Sequence, residues 1–271
     1  MIDSSTCVCC LIGDPIEHSL SPLIHNAGYQ SLGLNFIYLS FPVRDIERAI
    51  SGIRGLGIRG ASVTIPHKVS ALEYMDKIDE TARDIGAINT IVNNDGTLAG
   101  YNTDARAAIK ALEETVILRG KRAVIIGSGG AAKAIAAGLK NEGVSLVVLN
   151  RTAEKAEKLA GQVGADDFGG LGKMALLASV DILVNATPLG MLPAVDESVI
   201  PGEFLHIGLT VFDAVYNPKE TRLLVEARQK GCNIVYGYKM FLYQAALQFE
   251  LFTGQPAPLS VMESALTEAL E

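Results

Sequence analysis

Two short stretches end on residues able to move a proton. "SVTIPHK" delivers Lys68, and "GYNTD" delivers Asp104. Each follows a strand-like apolar run and precedes a helical pattern. A lysine and a carboxylate at such junctions could exchange a proton with an alcohol or carbonyl oxygen. Lys68 follows Pro66 at an expected helix start, where the positive end of the helix dipole disfavours an ammonium ion and favours use as a base. A neighbouring carboxylate would act the other way. Asp104 is also the kind of residue that satisfies a helix start. On residue physics alone, each fits a structural role as well as a chemical one. No metal alternative stands out. His18, His25, His67 and His206 make no ligand pattern, and Cys7, Cys9, Cys10 and Cys232 lack the spaced pairs of a zinc site. "CVCC" lies in an apolar run and reads as small hydrophobes in a first strand.

A second constellation binds rather than reacts. "VIIGSGGAAKAIAAGL" places Gly127-x-Gly129-x-x-Ala132 directly after a strand and before a helix. Gly127 makes the tight turn, Gly129 admits a pyrophosphate, and Ala132 lets helix and strand pack closely. Ser128, Gly130 and Ala131 complete a loop whose N–H groups face an anion at the helix N-terminus. The next strand ends in Asn150, Arg151 and Thr152, with Lys155 one turn later. An NAD site usually carries an acidic residue there, to accept from the ribose 2′-hydroxyl. Here no carboxylate repels a phosphate, and Arg151 offers a planar fork of donors with Lys155 as a second charge. The expected cofactor is NADP.

The elements that position these groups alternate between strand and helix. Strands are expected at 7–12, 36–41, 60–65, 123–126, 146–149, 181–185, 210–213 and 233–235. Ser21 reads as an N-cap with Pro22 at the first helical position. Other helices are expected at 45–56, 103–118, 131–142, 153–159, 219–230 and 239–253, and two short helical stretches fill 67–85. "NTIVNNDGTLAGYNTD" reads as a hairpin around Asp95-Gly96. Such alternation implies parallel sheets covered by helices, hence an α/β fold. A length of 271 residues is long for one core and suits two domains. The expected division is 1–104 and 105–237, with 238–271 returning to the first domain after a hinge-like "YGYK".

A formal charge of −7 argues against a nucleic-acid partner, which would meet a basic face. The N-terminus lacks a positively charged leader, and no apolar run approaches a membrane span. The expectation is a cytoplasmic protein with no membrane partner.

Eight blocks together resemble the shikimate dehydrogenase family: "GDPIEHSLSPLIHNAGY", "SVTIPHK", "GAINTIV", "GYNTD", "GSGGAA", "NRTAEKA", "NATPLGM" and "GYKMFLYQAALQFELFTG". They run in that family's order from residue 13 to 254. The resemblance implies an N-terminal substrate-binding domain and a Rossmann-type NADP domain that close around both ligands. It implies reversible NADPH-dependent reduction of 3-dehydroshikimate to shikimate by a monomer or homodimer. Lys68 becomes the principal acid/base group and Asp104 its partner. Ser19 and Ser21 would grip the substrate carboxylate. Thr64, Asn89, Tyr216 and Gln244 would hydrogen-bond the ring hydroxyls and the carboxylate. Asn102 would orient the Asp104 loop or serve a structural turn. Thr187, in the loop 186–191, would line the nicotinamide side with Gly237 and Met240. Ser62, His67 and Lys155 depart from the commonest pattern. They leave open a quinate/shikimate dehydrogenase with mixed NAD and NADP use. The retained acid/base pair argues against a catalytically silent regulatory protein on the same fold.

Overall fold

The structure, a computed structural model, describes residues 2–271. It divides into two compact units. One joins residues up to Thr103 with Gln244–Ala269, and the other spans Asp104–Tyr243.

The first unit opens with β1 (Cys7–Gly13), α1 (Ser21–Ser31), β2 (Phe36–Pro42), α2 (Ile46–Gly55) and β3 (Gly60–Val63). It continues with β4 (Lys77–Ile78), α3 (Glu80–Ile85), β5 (Thr90–Asn94) and β6 (Thr97–Tyr101). The sheet order is β2-β1-β3-β5-β6-β4. β1 lies parallel to β2 and β3, whereas β5 is antiparallel to both β3 and β6. The sheet is therefore mixed, not parallel throughout as strand–helix alternation predicts. The hairpin turn is the reason for the β5–β6 pairing: Asp95 and Gly96 both take positive φ, 51° and 89°, and a two-residue turn joins only antiparallel neighbours. β1 is a central strand covered on both faces, so its sequence is nearly all apolar. Cys9 and Cys10 are fully buried there, and burial pushes both thiols up to about 12, which keeps them neutral and unreactive. α2 starts where the Asp45 side chain accepts from the Arg48 N–H, and it turns Ile50 and Ile53 into the core. α1 differs from expectation. Ser21 is its first helical residue, Leu20 holds the cap position, and no side chain caps it.

The second unit contains α4 (Asp104–Glu113), β7 (Arg122–Ile126), α5 (Gly130–Asn141), β8 (Ser145–Leu149), α6 (Ala153–Val163) and β9 (Asp167–Gly169). After these come β10 (Ile182–Asn185), β11 (Thr210–Asp213), α7 (Arg222–Gln229) and β12 (Asn233–Val235). All six strands are parallel, in the order β12-β11-β10-β7-β8-β9. That is the doubly wound order 3-2-1-4-5-6 of dinucleotide-binding folds, with its switch point between β7 and β10. Val124, Ile126, Leu149, Leu183 and Val211 form the middle of its core. Gly138 of α5 lies against Ile109 and the Ala105 carbonyl of α4, close enough that a Cβ would stand 2.9 Å from the Ile109 side chain. α8 (Gly237–Thr253) begins in this unit, and α9 (Leu259–Ala269) follows in the first. Gly237, inside "YGYK", is already the first residue of α8, two residues before the expected helix start at 239. Among the described residues, no helix is long and apolar enough to cross a membrane.

Candidate active site

In the first unit the polypeptide turns sharply after β3, and backbone bonds fix the turn. Thr64 N–H donates to Ile12 O at 3.0 Å, Asp14 N–H to Ile65 O at 3.0 Å, and His67 N–H to Thr64 O at 2.9 Å. The Ile65–Pro66 bond is cis. Gly13 makes room: a Cβ there would stand 2.3 Å from Thr64 Cγ2 and 2.8 Å from Ile65 O. The Ile88 N–H donates to Lys68 O at 2.8 Å, and the Val63 N–H to Asn89 O at 2.7 Å. Thr64, Lys68 and Asn89 are therefore brought to one end of the β3–β5 pair. Lys68 does not start a helix. It lies in a turn, and a five-residue 3-10 helix begins at Ser70. A helix that short has little macrodipole, so the electrostatic argument for Lys68 at a helix start loses its footing.

A buried hydrogen-bond network holds Asn89. Its Nδ2 donates to Thr103 Oγ1 at 2.9 Å, and its Oδ1 accepts from Thr103 N–H at 2.9 Å and Thr90 Oγ1 at 2.8 Å. Thr103 Oγ1 in turn donates to Gln244 O at 3.2 Å. The network continues through Ser62 of β3. Tyr38 OH donates to Ser62 Oγ at 2.6 Å, Ser62 Oγ to Gln248 Oε1 at 2.7 Å, and Gln248 Nε2 to Asn89 O at 3.1 Å. Burial pushes the Tyr38 phenol well above its ordinary value, so it stays a donor. Ser62 is thus engaged with the core. His67 is likewise tied down, with Nε2 at 2.7 Å from Val43 O. Asn102 is buried and donates from Nδ2 to Ala87 O at 2.9 Å, which secures the turn after β6. Ser19 and Ser21 stand together at the start of α1, with Ser19 Oγ donating to Ser21 Oγ at 3.2 Å and accepting from the Ser21 N–H at 3.3 Å.

In the second unit, Asp104 is the buried first residue of α4, where a carboxylate meets the positive end of the dipole. Gly127 follows β7 with φ +126°, and a Cβ there would come within 2.7 Å of Ala186 O, at the end of β10. Only glycine allows that approach, and it occurs at the topological switch point, where doubly wound sheets bind ligands. Gly129 sits extended at the cap position of α5 with no side-chain cap, so first-turn N–H groups are presented past Ser128, Gly130 and Ala131. Ala132 is fully buried. At the end of β8 the Asn150 N–H donates to Gly169 O at 3.1 Å, and its Nδ2 to Thr152 O at 3.0 Å. Arg151, Thr152 and Lys155 are exposed around the N-terminus of α6. These donors fit a 2′-phosphate, and the loop of small residues fits a pyrophosphate.

Thr187 is fixed by its N–H and Oγ1 donating to Asn185 Oδ1, at 3.0 and 2.7 Å. Tyr216 stacks on Phe241 with centroids 4.3 Å apart. Gly237 starts α8 hard against Val215 O, 2.2 Å from where its Cβ would stand, and Met240 is buried in the next turn. Ser19, Ser21, Thr64, Lys68, Asn89 and Gln244 belong to the first unit, and Asp104, Tyr216 and the cofactor residues to the second. Sequence reasoning missed Tyr38, Gln248, Thr103, Asn185, Asp213 and Thr221. One signal was available: an aspartate closing the apolar strand "TVFD" has no reason to be buried unless it accepts hydrogen bonds.

Residues 11–91 match the shikimate dehydrogenase substrate binding domain, residues 109–193 the shikimate / quinate 5-dehydrogenase family, and residues 237–267 the shikimate 5′-dehydrogenase C-terminal domain. The chain is 44% identical to the shikimate dehydrogenase (NADP(+)) of Moorella thermoacetica, covering 99% of this chain and 95% of that protein. It is 45% identical to the shikimate dehydrogenase (NADP(+)) of Methanothermobacter thermautotrophicus, covering 100% and 99%. A crystal structure of a shikimate dehydrogenase in complex with NADP+ superposes with a TM-score of 0.96 at 41% identity, over 100% of this chain and 98% of that one.

Proposed function

The chain belongs to the shikimate dehydrogenase family, and from that premise we propose how its residues perform the reaction. It is an NADP-dependent oxidoreductase acting on a CH–OH group, and it catalyses the reversible reduction of 3-dehydroshikimate to shikimate. The observation that carries this reading is the likeness along the whole chain to NADP-dependent members, first unit included. A generic dinucleotide dehydrogenase would explain the second unit alone. When bound, NADPH supplies the hydride.

Gly127, Ser128, Gly129, Gly130, Ala131 and Ala132 hold the pyrophosphate at the start of α5. Asn150, Arg151, Thr152 and Lys155 hold the 2′-phosphate, and Thr187, Gly237 and Met240 border the nicotinamide. Ser19 and Ser21 grip the substrate carboxylate, while Thr64, Asn89, Tyr216 and Gln244 orient the ring. In the reductive direction, Lys68 gives a proton to the C3 oxygen as that oxygen gains charge, and Asp104 is its partner. In the oxidative direction Lys68 takes the proton back. The backbone bond from Ile88 supports this reading, because it fixes where Lys68 leaves the polypeptide. The setting is cytoplasmic and the assembly a monomer or homodimer.

Absorbance at the NADPH band tests the assignment. Wild type should reduce NADP only when shikimate is present. Lys68→Ala should lose about 10²–10⁴-fold in kcat with KM for shikimate little changed, the range expected for one general acid–base group. Equal turnover in both proteins would remove Lys68 from the mechanism.

A further inference from the structure

β11 ends on a carboxylate that the reaction does not use. Asp213 is 0% exposed. Its Oδ1 accepts from Asn185 Nδ2 at 2.9 Å and from the Val215 N–H at 3.0 Å, and its Oδ2 accepts from Thr221 Oγ1 at 2.6 Å. These partners are an amide, a peptide N–H and a hydroxyl. Burial pushes the carboxyl up to about 6, and the same three hydrogen bonds oppose the shift. A buried carboxylate is costly, and a neutral core residue would stabilise the strand end better unless the three acceptor contacts matter.

Each contact leads to a different segment. Asn185 pairs in register with Asp213 across β10 and β11. Its Nδ2 also donates to Leu189 O at 3.2 Å, while its Oδ1 takes both Thr187 donors, so one side chain shapes the loop 186–191. Val215 begins the loop that carries Tyr216. Thr221 caps α7 by accepting from the Leu224 N–H, and its Cβ lies 3.2 Å from where a Gly190 Cβ would stand. A Cβ on Gly237 would stand 2.6 Å from Asp213 O, so the first residue of α8 is gauged against the same strand end. The glycine loop after β7 and the Arg151 segment after β8 make none of these side-chain bonds.

We propose that Asp213 is a positioning residue: its three acceptor contacts set loops 186–191 and 214–221 together, and so fix the nicotinamide end of the cofactor site without touching the adenosine end. The proposal rests on the NADP reading of this unit. Hydrogen bonds to a buried charged acceptor are strong enough to fix the geometry of loops that meet at it.

The test compares wild type with Asp213→Ala, Asp213→Asn and Thr221→Val. Two quantities are measured: kcat with shikimate, and the ratio of dissociation constants for adenosine 2′,5′-bisphosphate and NADPH. The bisphosphate probes only the adenosine end. Asp213→Ala should lower kcat at least tenfold and reduce the affinity advantage of NADPH at least fivefold, with bisphosphate affinity unchanged within twofold. Asp213→Asn keeps an oxygen for Asn185 and Val215, and should recover kcat to within about threefold of wild type. Thr221→Val should fall between. If Asp213→Ala does not fold, Thr221→Val, which removes the bond to Asp213 Oδ2, decides by the same two quantities. Unchanged kcat and unchanged ratio overturn the proposal, and so does a parallel loss of bisphosphate affinity. Wild type that binds NADPH but ignores shikimate would overturn the substrate assignment instead, and the ratio would still decide the role of Asp213.

Discussion

His25 illustrates how much a single residue's role depends on its surroundings. It is 0% exposed, stacks on Tyr38 at 4.3 Å and 8°, and leaves both ring nitrogens without a hydrogen-bond partner. Burial, opposed in part by the neighbouring Gln248 amide, pushes it down from 6.5 to about 3. The folded protein therefore binds this proton less readily than the unfolded chain. The stability that comes from a neutral His25 is fully present above pH 6.5 and is lost as pH falls toward 3. His25→Phe keeps the stacked ring and removes the titration. Urea unfolding at several pH values should show the stability difference between wild type and His25→Phe changing by up to about 1.4 kcal/mol per pH unit within that window, and staying flat above it. Asp213 titrates in the opposite sense, but both proteins contain it, so it cancels. Parallel profiles would show that His25 is not an acid-sensitive group. In the sequence His25 stood only as one of four histidines without a ligand pattern. Its burial depends on α1, β2 and α8 residues far apart in the chain, and no local pattern encodes that. Ser62 and Gln248 were hidden in the same way: their bond spans 186 residues.

At the scale of elements, legibility followed length. The Asp95-Gly96 hairpin, the amphipathic α2 and the strand–glycine loop–helix of β7 and α5 are encoded in runs of five to a dozen neighbours. β4 and β9 have two and three residues, too few for any alternation to register, and they exist because a neighbouring strand offers an edge. At the turn that carries Lys68, Pro66 is compatible with a turn and with a helix start alike, and only the bonds to Ile12, Ile65 and Ile88 distinguish them. Packing of α8 on β3 also rests on one position. The Phe252 ring lies so close to Gly60 that a Cβ would stand 2.2 Å from Cδ1. Phe252 is 1% exposed and cannot swing into solvent without opening the core. Gly60→Ala should therefore lower the unfolding free energy by about 1–3 kcal/mol, the usual range for overpacking. Chemical denaturation measures it, and a change within about 0.5 kcal/mol would mean that α8 tolerates displacement from β3.

At the scale of the whole molecule, two selectivities depend on the assembled fold: which acid is reduced or oxidised, and which dinucleotide is used. Shikimate and quinate should be assayed with NADP and NAD in all four combinations. Shikimate with NADP should give the highest kcat/KM. Arg151→Ala should raise the KM for NADP at least tenfold and that for NAD less than twofold, because only NADP carries the phosphate that a guanidinium fork would hold. Equal effects on both dinucleotides would remove Arg151 from phosphate recognition. Comparable rates with quinate would support the mixed-specificity reading. Ser62 and His67, the departures that raised that possibility, are held by Tyr38, Gln248 and the Val43 carbonyl, which favours a supporting role for both.

The chain's own residues determined the α/β class, the dinucleotide loop, the absence of a carboxylate after β8, and the candidacy of Lys68 and Asp104. Those features are local: a turn conformation, a helix N-terminus or a charge at a strand end is written in a few consecutive residues. Tertiary structure decided that the first sheet is mixed, that Lys68 lies in a turn, that Ser62 faces a buried amide, and that Asp213 gathers three segments. Such facts depend on contacts between residues tens to hundreds of positions apart, where burial and hydrogen-bond satisfaction, not local propensity, choose the outcome.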